Sequence, residues 1–115
     1  MIGNALVASG GTASAALEIP GGGYELVAVV VPTIDSSTVT FSFSYDSGAT
    51  YLTAFTNSGV PAALTLGSAD VGAKVVGVPE GILQASVGAS HMKLTLAAQA
   101  GGARVLPCIF RKIAT

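Results

Sequence analysis

The sequence predicts an all-β fold, an antiparallel β-sandwich or jelly-roll-like domain of roughly seven to nine short strands with at most one short helical turn. Three observations predict it. Residues 38–45 place Val39, Phe41, Phe43 and Tyr45 on one side and Thr38, Thr40, Ser42 and Ser44 on the other, the period-2 pattern of a strand with one buried face. Short β-branched runs recur along the chain between Gly, Pro, Asn and Asp clusters. No strand-helix-strand alternation and no internal repeat is present, which argues against a parallel sheet, a propeller or a β-helix.

The elements follow in order. Residues 4–9 form a short apolar run, with Ala5, Leu6, Val7 and Ala8 cut off by Gly10-Gly11. Residues 1–11 are therefore expected to be either an arm that pairs with a neighbouring subunit or an edge strand of their own sheet, ahead of a single domain over 12–115. Residues 14–19 alternate, with Ala15, Leu17 and Ile19 on one side, and Pro20-Gly21-Gly22-Gly23 ends them. Residues 24–31 are apolar throughout their second half, as a strand buried on both faces would be. Val27, Val29 and Val31 are accordingly expected to present apolar surface to a second sheet or a neighbouring subunit. After residues 38–45, Asp46-Ser47-Gly48 turns the chain and residues 50–55 should return as the hairpin partner.

Further on, residues 56–61 read as a turn, 62–66 as a brief strand, 67–70 as a loop and 74–78 as another β-branched run. Pro79-Glu80-Gly81 opens a short helix or an irregular crossover that Gly88 stops. Residues 91–97 alternate, with Met92, Leu94 and Leu96 inward and His91, Lys93 and Thr95 outward. Gly101-Gly102 turns, and 104–113 supply the last strand.

Composition narrows the function more than any motif does. A chain of 115 residues can bury one core but leaves no room for separate catalytic and binding domains. Half of it is hydrophobic and 10% is charged, against a typical charged fraction of about 25%. Its mean hydropathy is +0.68. Residues 26–31, the longest aliphatic run, fall far short of the roughly 20 residues of a membrane-spanning helix, so no membrane role is expected. An apolar chain of this size is expected to hide surface against other subunits. The net charge of −1, with Arg111-Lys112 as the only basic cluster, argues against nucleic-acid binding. Residues 1–4 lack the features of a secretory signal, so synthesis in a cytoplasm is expected.

Candidate chemistry is sparse. The single cysteine, Cys108, lies between Pro107 and Ile109-Phe110 and reads as a buried thiol, with no intrachain disulfide and no cysteine-based metal site. His91, the one histidine, lies on the polar side of a predicted strand and has no nucleophile paired with it. The six carboxylates Glu18, Glu25, Asp35, Asp46, Asp70 and Glu80 are scattered without a calcium-loop pattern. Gly21-Gly22-Gly23 precedes no helix and so lacks the N-terminus that makes a phosphate cradle. Tyr24, Tyr45 and Tyr51 offer a possible sugar-stacking platform, with core and turn packing as the alternative. No catalytic residue, cofactor or metal is expected.

Two resemblances add to this reading. The spacing Ser44-x-Asp46-x-Gly48-x-x-Tyr51 resembles the Asp-box of sialidases and related β-proteins, with Tyr51 where Trp or Phe is common and one copy instead of a repeat. It implies a turn-bracing role for Ser44, Asp46, Gly48 and Tyr51. The layout from Ser14 to Ile113 resembles the small β-sandwich virion proteins of tailed bacteriophages, of the head decoration, cement or fibre-anchoring type. The residues that carry it are the 21–32 run, the strand into Tyr45-Asp46-Ser47-Gly48, the Val78-Pro79-Glu80-Gly81 crossover and the Met92-Lys93-Leu94-Thr95-Leu96 strand. This resemblance implies a non-enzymatic virion protein made in the host bacterial cytoplasm and added in many copies. Its partners would be itself, as a dimer or trimer, and a major capsid or tail protein. The alternative is a carbohydrate-binding or adaptor module of a tail or fibre.

Overall fold

In the computed structural model, the alternating stretch becomes the strand around which one sheet is laid, with Val39, Phe41 and Phe43 buried and the two phenyl rings stacked 6.4 Å apart. The structure describes residues 2–19, 23–32, 34, 38–56, 58–65, 74–99 and 102–113. Along them run β1 (Ile2–Val7), β2 (Leu17–Glu18), β3 (Tyr24–Val31), β4 (Thr38–Ser44), β5 (Leu52–Thr53), β6 (Ala63–Thr65) and β7 (Lys74–Gly77). The helix α1 (Glu80–Ser86), then β8 (His91–Thr95) and β9 (Arg104–Lys112), complete the order. The turn residues Gly21 and Gly22, the loop 67–70 and Gly101 lie outside the described residues.

The strands make two antiparallel sheets, one in the order β1-β9-β3-β7 and one in the order β2-β8-β4-β5, with β6 sharing the β4 edge with β5. This is the all-β, sandwich-like class that alternation and turn spacing predict. The core lies between the sheets. Phe41, Phe43, Met92 and Leu94 face Ala5, Val7, Leu26, Val29, Val31, Leu106 and Phe110, all buried. Residues 13–14 stitch the sheets together through bridges from Ala13 to Thr95 and from Ser14 to Val7. The buried Ser14 donates its N–H to the Leu94 carbonyl and accepts the Leu94 N–H on Oγ, each at 2.9 Å. That task cuts the predicted strand over 14–19 down to Leu17–Glu18.

The central strands carry two irregularities. Pairing of β3 with β9 shifts register between Leu26 and Ala28, so Val27 is an extra residue and the buried set becomes Leu26, Val29 and Val31. The ladder ends at Val29 opposite Cys108, just before Pro107, which has no N–H to give. Where β7 stops at Gly77, opposite Ala28, α1 takes over the β3 edge. The Val78 N–H donates to the Val27 carbonyl at 3.1 Å, and the Leu26 N–H donates to Ser86 Oγ at 2.8 Å. Gly88, at φ +81°, follows the helix in the left-handed conformation that permits a sharp exit.

Candidate functional site

Polar interactions concentrate at the turn after β4. Ser44, buried at the strand end, donates Oγ–H to Asp46 Oδ1 at 2.7 Å and accepts the Gly48 N–H at 2.9 Å. The other acceptor duty of Asp46 Oδ1 is the Thr50 N–H at 2.9 Å. Ser47 and Gly48 have φ of +61° and +89°, so two successive residues bend the chain back through left-handed conformations. The Ser44 hydroxyl first, and the Thr50 amide after it, hold the Asp46 carboxyl below its ordinary range. Tyr51 closes the turn, with Lys93 Nζ 4.3 Å from its ring centroid. All four motif residues therefore meet in one braced hairpin, and the returning strand pairs Leu52 with Phe43 and Thr53 with Ser42. Tyr45 departs from expectation. It is 51% exposed rather than inward, because β4 ends at Ser44, and its hydroxyl donates to the Ala85 carbonyl of α1.

His91 has more company than its sequence neighbourhood indicates. Its Nδ1 lies 3.1 Å from Ser90 Oγ, and its Nε2 lies 3.9 Å from Glu18 Oε2. A serine, a histidine and a carboxylate in series invite a hydrolytic reading. The hydrogen bonds assign the serine elsewhere. Ser90 Oγ is a turn anchor, accepting the Ser47 N–H and donating to the Ser44 carbonyl, each at 3.1 Å. A nucleophile needs its proton aimed at the base, and Glu18, with a side chain 76% exposed, stands beyond hydrogen-bond reach of the ring. A shallow pocket lies elsewhere, lined by Thr56, Glu80, Gly81 and Gln84 at the start of α1. Ser90 was hidden from sequence reasoning because its contacts depend on β4 pairing with β8, Ser44 opposite His91.

The remaining candidates separate. Cys108 is buried, donates to the Leu106 carbonyl, and has its thiol pushed up to about 12 by burial. Glu25 is paired with Arg111, and Glu80 accepts a hydrogen bond from Gln84 at 2.9 Å. Among the described residues no group of three or more His, Cys, Asp and Glu gathers where a metal ion could bind. Nor is any described helix long and apolar enough to cross a membrane. The tyrosines serve separate contacts: Lys93 covers a face of Tyr51, Tyr45 reaches α1, and Tyr24 sits opposite Lys112 in the other sheet.

The two outer faces differ sharply in chemistry. On the sheet containing β4, Thr40 stands opposite Thr95, and Ser42 lies between Lys93 and Thr53. These side chains alternate with the buried set and so point outward. On the four-stranded sheet, the outward pairs are Ile2 with Ile109, Asn4 with Pro107, Leu6 with Val105 and Val30 with Val75. Ile2 and Val75 are each 66% exposed.

The expected interface set requires correction against this map. Leu6 is outward and exposed, and Ala8 is exposed beyond the strand end, but Ala5 and Val7 point into the core because β1 alternates. Val29 and Val31 are fully buried in this subunit, and the bulge leaves Val27 partly buried. Residues 2–7 form an edge strand of their own sheet. Val30, Val75, Val105 and Ile109 were missed. The signal for them is the phase of each strand once the pairing is known. Comparison with known proteins finds no match to this chain, whether among family models, curated proteins or solved structures.

Proposed function

We propose that the chain is a structural, non-enzymatic subunit of a multi-copy assembly. It packs the apolar outer face of its four-stranded sheet against protein and leaves the hydroxyl-rich sheet to solvent. The observation that carries this reading is the contrast between the two faces of one sandwich. An antiparallel sheet with a wet side places Thr, Ser and Lys there, as the β4 sheet does. The other sheet puts Ile, Leu, Val and Pro at the equivalent positions, and leaving such surface in water costs about 25 cal/mol per Å². The polar groups around Ser44 and His91 brace the hairpin, which fits a scaffold better than a catalyst.

The assembly that best suits this design is the virion of a tailed phage, with the chain as a capsid decoration or cement protein; that placement rests on the sequence resemblance. The test adds purified chain to phage heads stripped of decoration proteins and follows co-sedimentation and particle images. Regularly repeated extra density on the shell is the expected result. Failure to associate with heads or tails at any concentration would remove the virion assignment.

A further inference from the structure

We propose that the occupant of the apolar outer face is a second copy of this chain, seated across a two-fold axis in a reversible, face-to-face dimer. This rests on the reading that the face packs against protein. Charge is the first argument. At the described positions of that face the ionic groups are Glu25 and Arg111, cross-strand neighbours already paired with each other. In a symmetric contact a surface meets its own like, so any unbalanced charge row would repel itself. Here nothing does. A strongly anionic partner such as a nucleic acid would find on the outward positions of this face Arg111 alone, and Glu25 already holds it.

The second argument is that the sandwich has one such sheet face. The opposite sheet presents Thr40, Ser42, Lys93 and Thr95 to water, its exposed apolar residues Leu52, Phe55 and Val60 lying on the β5 edge and the turn after it, so copies that meet face-on bury their apolar faces and expose the polar one. Growth stops at two, whereas an open chain of subunits needs two different complementary patches. Area sets the strength. Strands of the observed lengths, at about 3.3 Å per residue and about 4.8 Å apart, give a face on the order of 400 Å² in plan. Two such faces together, on the order of 800 Å² in plan, fall below the roughly 1,200–2,000 Å² that stable pairs bury in total and in the range of weak, transient contacts. The pair is therefore weak and reversible, with the sheets packed about 10 Å apart.

Sedimentation equilibrium of the full chain from low to high micromolar concentration tests this. Val75→Asp and Val105→Asp lie on exposed positions of the face in different strands, and Thr95→Asp on the opposite sheet is the control. Expected is a monomer–dimer equilibrium in the wild type and in Thr95→Asp, with the dimer Kd weakened roughly tenfold or more in both face variants. Thermal melts at low concentration should be unchanged, which separates lost association from lost folding. A monomer at every concentration, a dimer indifferent to both face variants, or a ladder of higher species would overturn the pair. The particle assay distinguishes the two readings. A monomeric wild type whose head binding is lost in Val75→Asp means that a shell protein covers the face, so the dimer falls and the assembly role stands. A dimer without affinity for particles leaves the pair standing and removes the virion role.

Discussion

A side chain at position 48 would meet two obstacles. The backbone there has φ of +89°, and a Cβ would stand 3.4 Å from Tyr51 Oη and 3.6 Å from His91 Nδ1. Gly48→Val should therefore destabilise the fold by about 1–3 kcal/mol, read from thermal denaturation; an unchanged melt would refute the turn geometry. Asp46 carries a pH dependence. Its folded pKa is depressed, so its contribution is present above the pKa of an unfolded aspartate and is lost as pH falls through the lower folded value. Amide exchange at Gly48 and Thr50 should accelerate in strong acid, and Asp46→Asn should remove that acid step. Cys108 acts at the other end of the scale. An unfolded thiol ionises near 9.0 while the folded one keeps its proton up to about 12, so stability is intact below that window and falls as pH rises through it. The native chain should react with a thiol reagent far more slowly than the denatured chain.

Between elements, Ser86 holds α1 to β3 where β7 has run out. Its Oγ accepts the Leu26 N–H in a buried bond and donates to the Leu83 carbonyl at 2.6 Å. Ser86→Ala would strand the Leu26 amide without water or partner, a loss of about 1–3 kcal/mol measurable in chemical denaturation. Such contacts mark the boundary of what sequence reveals. The β4 hairpin is legible because its bonds are local: Ser44 reaches Asp46 and Gly48, and Asp46 reaches Thr50. The phase of β4 and β8 is legible because both alternate without interruption. β3 misleads, since the unbroken apolar run from Leu26 to Val31 hides the bulge that decides which valines face inward. Ser86 and Ser90 look like ordinary loop or helix serines until partners 60 and 46 positions away are known.

For the molecule as a whole, the N-terminal strand decides whether residues 1–11 are an appendage or part of the fold. β1 pairs with β9 along its full length, Ile2 opposite Ile109 through Val7 opposite Arg104. It also contributes Ala5 and Val7 to the core, each 1% exposed. Its far edge is partly occupied too, where the Ala15 N–H donates to the Leu6 carbonyl at 2.9 Å. Removing residues 1–8 would turn β9 into an edge, uncover Leu106 and Cys108, and take away the strand that Ser14 bridges on its way to the second sheet. Burial of a valine side chain alone is worth roughly 1.5–3 kcal/mol, and the strand's backbone pairing is lost with it. Against a total stability of about 5–15 kcal/mol, the truncated chain should lose its cooperative thermal transition and its amide protection in β9. A truncated chain that melts like the full-length protein would mean that β1 is dispensable to the fold. Leu6 and Ile2 would then serve the outer face alone, and the same deletion would abolish dimerisation while leaving the sandwich intact.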